Sequence, residues 1–258
     1  MGRFTKLEFD HGREPQGKQE TAPAVGPDTC FLQAEREYRE GNFENALRYY
    51  SRTLEGDRLM VEAWRRQVLM LVELEEFGEA ALWADKAMEL FPDDVELLSG
   101  KASALCRLGD LSTSLKVIDR ALALPGASAS PWIARGELML VKREARHEYC
   151  FSKAVAIAPG GWNTLVRIGR AYQYHGLYSK ALEYFKRAMA IEPGILLTLV
   201  ETARCQNELG LHAAARKTLD QVLRISPRHA EARKLLDAAS SPRAGASARG
   251  FFRRLFGR

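Results

Sequence analysis

The chain has 258 residues, 46% of them apolar, and carries 38 Lys and Arg against 33 Asp and Glu. That apolar share suits a folded soluble protein, and no apolar run approaches the roughly 20 residues a helix needs to cross a bilayer. Cys30, Cys106, Cys150 and Cys205 are scattered, with no Cys-x-x-Cys pair and no histidine at metal-ligand spacing, so they read as small buried apolar residues of a reducing cytoplasm.

Residues 1–27 are rich in Gly, Pro, Gln and charge and lack apolar periodicity, so they are expected to be disordered. They open on charged sequence without the apolar stretch of a secretory signal. From residue 28 a pattern recurs with a period of about 34 residues. The first unit carries Ala34, Gly41, Phe43, Ala46 and Tyr50; the second, Trp64, Phe77, Ala80, Ala87 and Pro92. The third has Ala102, Gly109, Leu111 and Ala121, with Pro125 one place early. In the fourth, between Pro131 and Pro159, Trp132 and Ala154 remain. There, however, Arg143-Glu144-Ala145 replaces the glycine-aromatic turn and the spacing is one residue short. The fifth is complete: Leu165, Gly169, Tyr172, Gly176, Tyr178, Ala181, Phe185, Ala188 and Pro193. A sixth keeps Ala203, Gly210, Ala215 and Pro227, and His229–Ala239 follows as a single further helix.

These spacings resemble the tetratricopeptide repeat at every signature position of the fifth unit. The resemblance covers about four-fifths of the chain and implies an all-α, right-handed α-solenoid of stacked antiparallel helix pairs. On that reading six pairs and a C-terminal capping helix fill residues 28–239. The small residues lie where the two helix backbones of a unit approach, and the large ones fill the space between pairs. Glycine after the first helix permits a positive φ, and proline ends the second. The acids Asp93, Asp94 and Glu96 after Pro92 suit a helix N-terminus. No unit buries its apolar face alone, so stability comes from stacking.

Catalysis finds no support. The five histidines stand at turns, helix edges or the N-terminal segment, and none has a Cys or Ser at a known motif spacing. Gly160-Gly161 and Gly245 join no strand to a helix, so they make no phosphate loop. Glu73, Glu75, Glu76 and Glu79 read as a solvated helix edge. No catalytic residue, cofactor or metal site is expected.

The resemblance implies instead a groove lined by the first helix of each pair, where a protein or peptide segment binds. Reading its lining positions gives Arg65, Leu69 and Val72, then Arg107, then Asn163, Val166, Arg170 and Gln173, then Val200, Arg204 and Asn207, with Arg167 at the margin. Glu35, Glu62, Glu73, Glu96, Glu137 and Glu208 share the surface. Arginine forks suit carboxylates and asparagine suits peptide backbone, so Arg167, Arg170, Arg204 and Asn207 are expected to hold an acidic or extended segment, unless they pair with Glu201 or Glu208. The carboxylate clamp of the chaperone-binding members is missing, since Val166, Arg170, Leu197, Val200 and Glu201 occupy its places.

Residues 240–258 hold five arginines and no acid, while residues 28–239 hold 29 basic and 29 acidic residues, so the basic balance reads as a property of the tail. Nothing in the body then points to specific nucleic-acid binding. A Ser-, Ala- and Gly-rich linker leads to Gly250–Arg258. On a helix Phe251, Phe252, Leu255 and Phe256 would fall together, with Arg253, Arg254 and Arg258 opposite. So short a segment forms no stable helix in water, but an anionic membrane could induce one, giving weak and reversible contact. A groove on another protein is the rival target, and a tail without a target is the third reading. The expected role is a cytoplasmic scaffold or adaptor whose tail can touch the inner face of the membrane; self-association through the end of the stack is the structural alternative.

Overall fold

The computed structural model describes residues 26–240, and these fold as thirteen α-helices with no strand among them. The chain divides into two compact units between Ile157 and Ala158. The first holds α1 (Pro27–Glu40), α2 (Phe43–Gly56), α3 (Val61–Glu73), α4 (Phe77–Leu90), α5 (Val95–Leu108), α6 (Leu111–Ala123), α7 (Ser130–Val141) and α8 (His147–Ile157). The second holds α9 (Trp162–Tyr174), α10 (Tyr178–Ile191), α11 (Leu196–Glu208), α12 (His212–Ile225) and α13 (Ala230–Ser240). Within each unit the helices pack as consecutive pairs, the expected all-α architecture, and α13 is the expected single capping helix. The two end segments fall outside the described residues, apart from Gly26, Pro27 and Ser240.

Local chemistry starts and stops these helices. Asp94 and Asp110 cap α5 and α6, each accepting a hydrogen bond from the backbone N–H three residues on, at 2.9 and 3.1 Å. Pro27 and Pro131 stand in the first turns of α1 and α7, where their missing N–H costs nothing. The first helix of every pair ends in one turn geometry. In α9 the N–H of Gly176 donates to Gln173 O and that of Leu177 to Tyr172 O, both at 2.9 Å, with Gly176 at φ 72°. Gly41, Gly109 and Gly210 take the same left-handed place in their pairs.

In α3 and α7 that place falls to Glu75 (φ 63°) and Arg143 (φ 56°), with the same two backbone bonds. The degraded fourth repeat therefore keeps its turn without its glycine. An L-residue there costs about 1–2 kcal/mol that glycine avoids. Glu75 is exposed, so Glu75→Gly is expected to stabilise the first unit by about 1 kcal/mol, after the extra chain entropy of glycine is counted. Urea unfolding followed by circular dichroism would show it as a higher midpoint at unchanged slope.

Packing between the paired helices rests on small residues facing rings. A Cβ added at Gly169 would lie 2.6 Å from the Phe185 ring, and one at Gly136 would lie 2.4 Å from Phe151. Both rings are fully buried. Ser114 takes the small position in α6 and donates to Ala102 O of α5 at 2.8 Å, tying the two backbones directly. In the second unit Leu196, Leu199, Val200, Ala203, Leu219 and Val222 form one apolar cluster with Ala232 and Leu235 of α13. Burying a side chain such as Leu219 contributes about 1.5–3 kcal/mol, so α13 is part of the core as well as its cover.

Candidate protein-binding face

In the first unit α5 lies against both α3 and α7, and charged side chains join these neighbours. Arg65 Nε donates to Asp94 Oδ2 at 2.9 Å, while Oδ1 of the same carboxylate caps α5; Glu62 also accepts from Arg65, at 3.0 Å. Arg107 on α5 reaches Glu137 on α7 at 2.7 Å, with side-chain exposures of only 7% and 2%, and its guanidinium covers the Phe77 ring at 5.5 Å. Arg66 pairs with Glu35 at 3.0 Å, and Tyr50 donates to the same carboxylate at 2.6 Å. Burial, and then the Glu35 charge, push the Tyr50 hydroxyl well above the ordinary tyrosine range. Glu96 accepts from the hydroxyls of Ser128 and Ser130 at the start of α7.

In the second unit a chain of charges links α9, α11 and α13. Arg170 donates to Glu201, which also accepts from Arg204 Nε at 3.2 Å; Arg204 Nη2 then reaches Glu231 on α13 at 3.0 Å. Glu201 is 2% exposed. Burial alone would raise its carboxyl, but Arg170 and Arg204 more than reverse this and hold it below the ordinary glutamate range. A depressed pKa means this contribution to stability is present above the usual glutamate value and fades as the pH falls through the lower, folded value. Beside it, Asn207 Nδ2 donates to the backbone carbonyl of Leu235 in α13 at 3.2 Å, while Asn207 Oδ1 is buried without a partner. Gln173 contacts Cys205 Sγ at 3.6 Å.

Each residue expected at the groove thus has a definite setting. Arg170, Arg204 and Asn207 come together around Glu201, Glu231 and α13, and Arg167 and Asn163 stand half-buried one and two turns earlier on α9. Arg65 and Arg107 belong to the first unit, each tied to a carboxylate two helices on, Asp94 capping α5 and Glu137 in α7. Val72 of the first unit is buried, and so are Val166 and Val200 of the second, so the accessible part of the second unit's face is polar. Glu201 was a foreseeable partner; Asp94 and Glu231 were not. Each arginine finds its acid 27–31 residues downstream, near one repeat away, and a search for acids at that offset would have found them. The tail contact expected at Phe251, Phe252, Arg253, Arg254, Leu255 and Phe256 lies outside the described residues. Glu73, read as solvated, is buried, whereas Glu75 on the same edge is exposed.

All four cysteines are buried thiols outside any disulfide, Cys30 included, within α1. Burial, followed by Glu137 and Glu201 respectively, pushes the Cys106 and Cys205 thiols up to about 12, so both stay protonated at neutral pH. No described helix is long and apolar enough to cross a membrane.

Consecutive antiparallel helix pairs joined by polar struts define a helical-repeat protein. Tetratricopeptide repeat family models match residues 31–95 and 174–239, together just over half of the chain. The chain belongs to the tetratricopeptide repeat family, whose members commonly serve as protein–protein interaction scaffolds for protein or peptide partners.

Among solved structures, a thermophilic repeat protein of Thermus thermophilus is 18% identical with a TM-score of 0.53, covering 70% of this chain and 98% of that one. A repeat protein of Parabacteroides merdae is 14% identical with a TM-score of 0.52, covering 86% and 87%. A chain of the APC/C hetero-tetramer Cut9-Hcn1 is 17% identical with a TM-score of 0.49, covering 84% of this chain but only 43% of that one. This chain therefore spans less than half the length of that relative. Such likeness concerns the fold alone. No curated protein matches the sequence.

Proposed function

We propose that the protein is a non-catalytic scaffold that holds an acidic, extended segment of a partner protein against the α11–α13 face. Arg204 takes a carboxylate and Asn207 takes peptide backbone, while Arg170, Arg167 and Asn163 extend the face along α9. Arg65 and Arg107 act as struts between helices of the first unit, and the tail at Phe251–Phe256 makes a second contact. One observation carries the reading: Arg204 keeps 36% of its side chain exposed and shares its guanidinium between buried Glu201 and Glu231, itself 33% exposed. Glu231 thus occupies the place an incoming carboxylate would take. Next to it Asn207 stands half-buried, its amide held by the Leu235 carbonyl of α13.

Competition between Glu231 and the guest gives a test with opposite signs. A half-exposed ion pair contributes up to about 1 kcal/mol, so Glu231→Gln is expected to tighten capture about fivefold. Arg204→Ala is expected to weaken it at least about tenfold. The measurement is fluorescence anisotropy with short Glu-rich peptides and their Gln counterparts. Equal affinity for the two peptide sets, or weaker binding by Glu231→Gln, would contradict the proposal.

A further inference from the structure

Charge is divided unevenly between the two units. Residues 26–157 hold 17 basic and 22 acidic side chains, whereas residues 158–240 hold 12 basic and 7 acidic ones. At the surface the contrast takes a different form. The exposed charges of the first unit are nearly balanced, 11 basic against 9 acidic, while those of the second are 9 basic against 4 acidic. The first unit's excess acids are partly covered, Glu35, Glu62, Asp94 and Glu137 among them in the ion pairs described above. The second unit's excess bases stand exposed on α10, α12 and α13 and, at Arg228, in the turn between α12 and α13, interrupted by Glu183, Asp220 and Asp237. Among the described residues Lys186, Arg216, Lys217 and Arg228 make no ion pair, and Arg224 and Arg233 reach backbone carbonyls, at 3.3 and 2.6 Å.

Two aliphatic side chains stand within this basic surface. Ile191 is 42% exposed, one helical turn beyond Arg187, and Ile225 is 59% exposed, two turns beyond Lys217 and adjacent to Arg224. A basic surface with protruding isoleucines suits the boundary of an anionic bilayer, where cations meet headgroups and aliphatic tips reach the acyl region. A nucleic acid would reward exposed aromatic faces instead, and the exposed basic residues of this unit are accompanied by aliphatic ones, with Tyr184 buried beneath Arg187. A second copy fits less well, because the first unit offers no net negative surface to receive it. The chain also continues from Ser240, the last residue of α13, into 18 residues with five arginines and no acid.

We infer that the exposed basic and aliphatic residues of α10 and α12, with Arg228 just beyond α12, form a docking surface for an anionic membrane. The folded second unit itself makes the contact, in addition to whatever the tail supplies. This reading goes beyond capture at Arg204 and does not depend on it.

The test is co-sedimentation of the full-length chain with phosphatidylcholine vesicles, with and without phosphatidylserine in roughly a third of the lipid. Capture is expected only with phosphatidylserine and is expected to fall as salt rises. Each basic side chain near such a surface contributes about fivefold in affinity, so Lys186→Gln, Lys217→Gln and Arg228→Gln together are expected to weaken capture about a hundredfold with the tail intact. Ile191→Ser with Ile225→Ser is expected to weaken it further while leaving binding to a labelled mixed-sequence single-stranded oligonucleotide unchanged. All five positions are exposed, and an unchanged circular dichroism spectrum checks folding. The inference fails if the triple variant sediments like the natural chain while Arg253→Gln with Arg254→Gln abolishes capture, since the tail would then act alone. It also fails if the oligonucleotide binds at physiological salt and the vesicles do not, or if light scattering shows these three residues driving self-association instead.

Discussion

Arg107→Ala is expected to destabilise the first unit by about 3–5 kcal/mol, because it takes from the buried Glu137 carboxylate the guanidinium paired with it. The carboxylate is 2% exposed and its partner 7%, so water cannot replace the lost guanidinium without opening the contact between α5 and α7. Lost packing over Phe77 adds to the effect. The double replacement Arg107→Met with Glu137→Leu separates the two contributions, since exchanging a buried pair for apolar groups of similar volume is often close to neutral. Thermal and urea unfolding of the natural chain, Arg107→Ala and the double variant gives the answer. A single alanine variant within about 1 kcal/mol of the natural chain would show that the pair is solvated.

Gly169→Ala reverses a familiar rule. Inside a helix, alanine normally gains about 1 kcal/mol over glycine. At Gly169 the new methyl would press on the fully buried Phe185 ring from 2.6 Å, and overpacking costs about 1–3 kcal/mol. A net loss of up to about 2 kcal/mol is expected for the second unit, with the same sign for Gly136→Ala against Phe151 in the first. Gly78 in α4 is the control. Nothing lies within 4 Å of its added Cβ, so Gly78→Ala is expected to stabilise by up to about 1 kcal/mol. Chemical denaturation would compare the signs; a stabilising Gly169→Ala would mean that the helix pair separates easily.

Much of this architecture is legible in the sequence because its main devices are local or strictly periodic. Gly169 with Phe185, the small residues Ala181 and Ala215, and the turn glycines Gly176 and Gly210 recur at fixed spacing, and each has a steric reason to be there. The fourth repeat looks degraded only because glycine stands for a backbone conformation that Arg143 also adopts; residue identity fails where φ persists. Glu75 hides the same turn in the second repeat.

The candidate site is less legible. Helical spacing sets Arg170, Arg204 and Asn207 on one face, but it cannot tell a waiting guanidinium from one already shared. That depends on Glu201 and Glu231, supplied by neighbouring helices. Charge shows the same limit. The basic and acidic residues of the body cancel in sum, and the cancellation conceals their division between the two units and between covered and outward positions. Burial decides which of those charges a partner can meet.

Backbone amide chemical-shift mapping of the full-length chain during titration with a Glu-rich peptide tests the scaffold claim most directly. Saturating shifts grouped on α11 and α13 around Arg204, Asn207 and Glu231, and lost in Arg204→Ala, are the predicted result. Shifts confined to other helices, or equal shifts with the Gln counterpart, would contradict it.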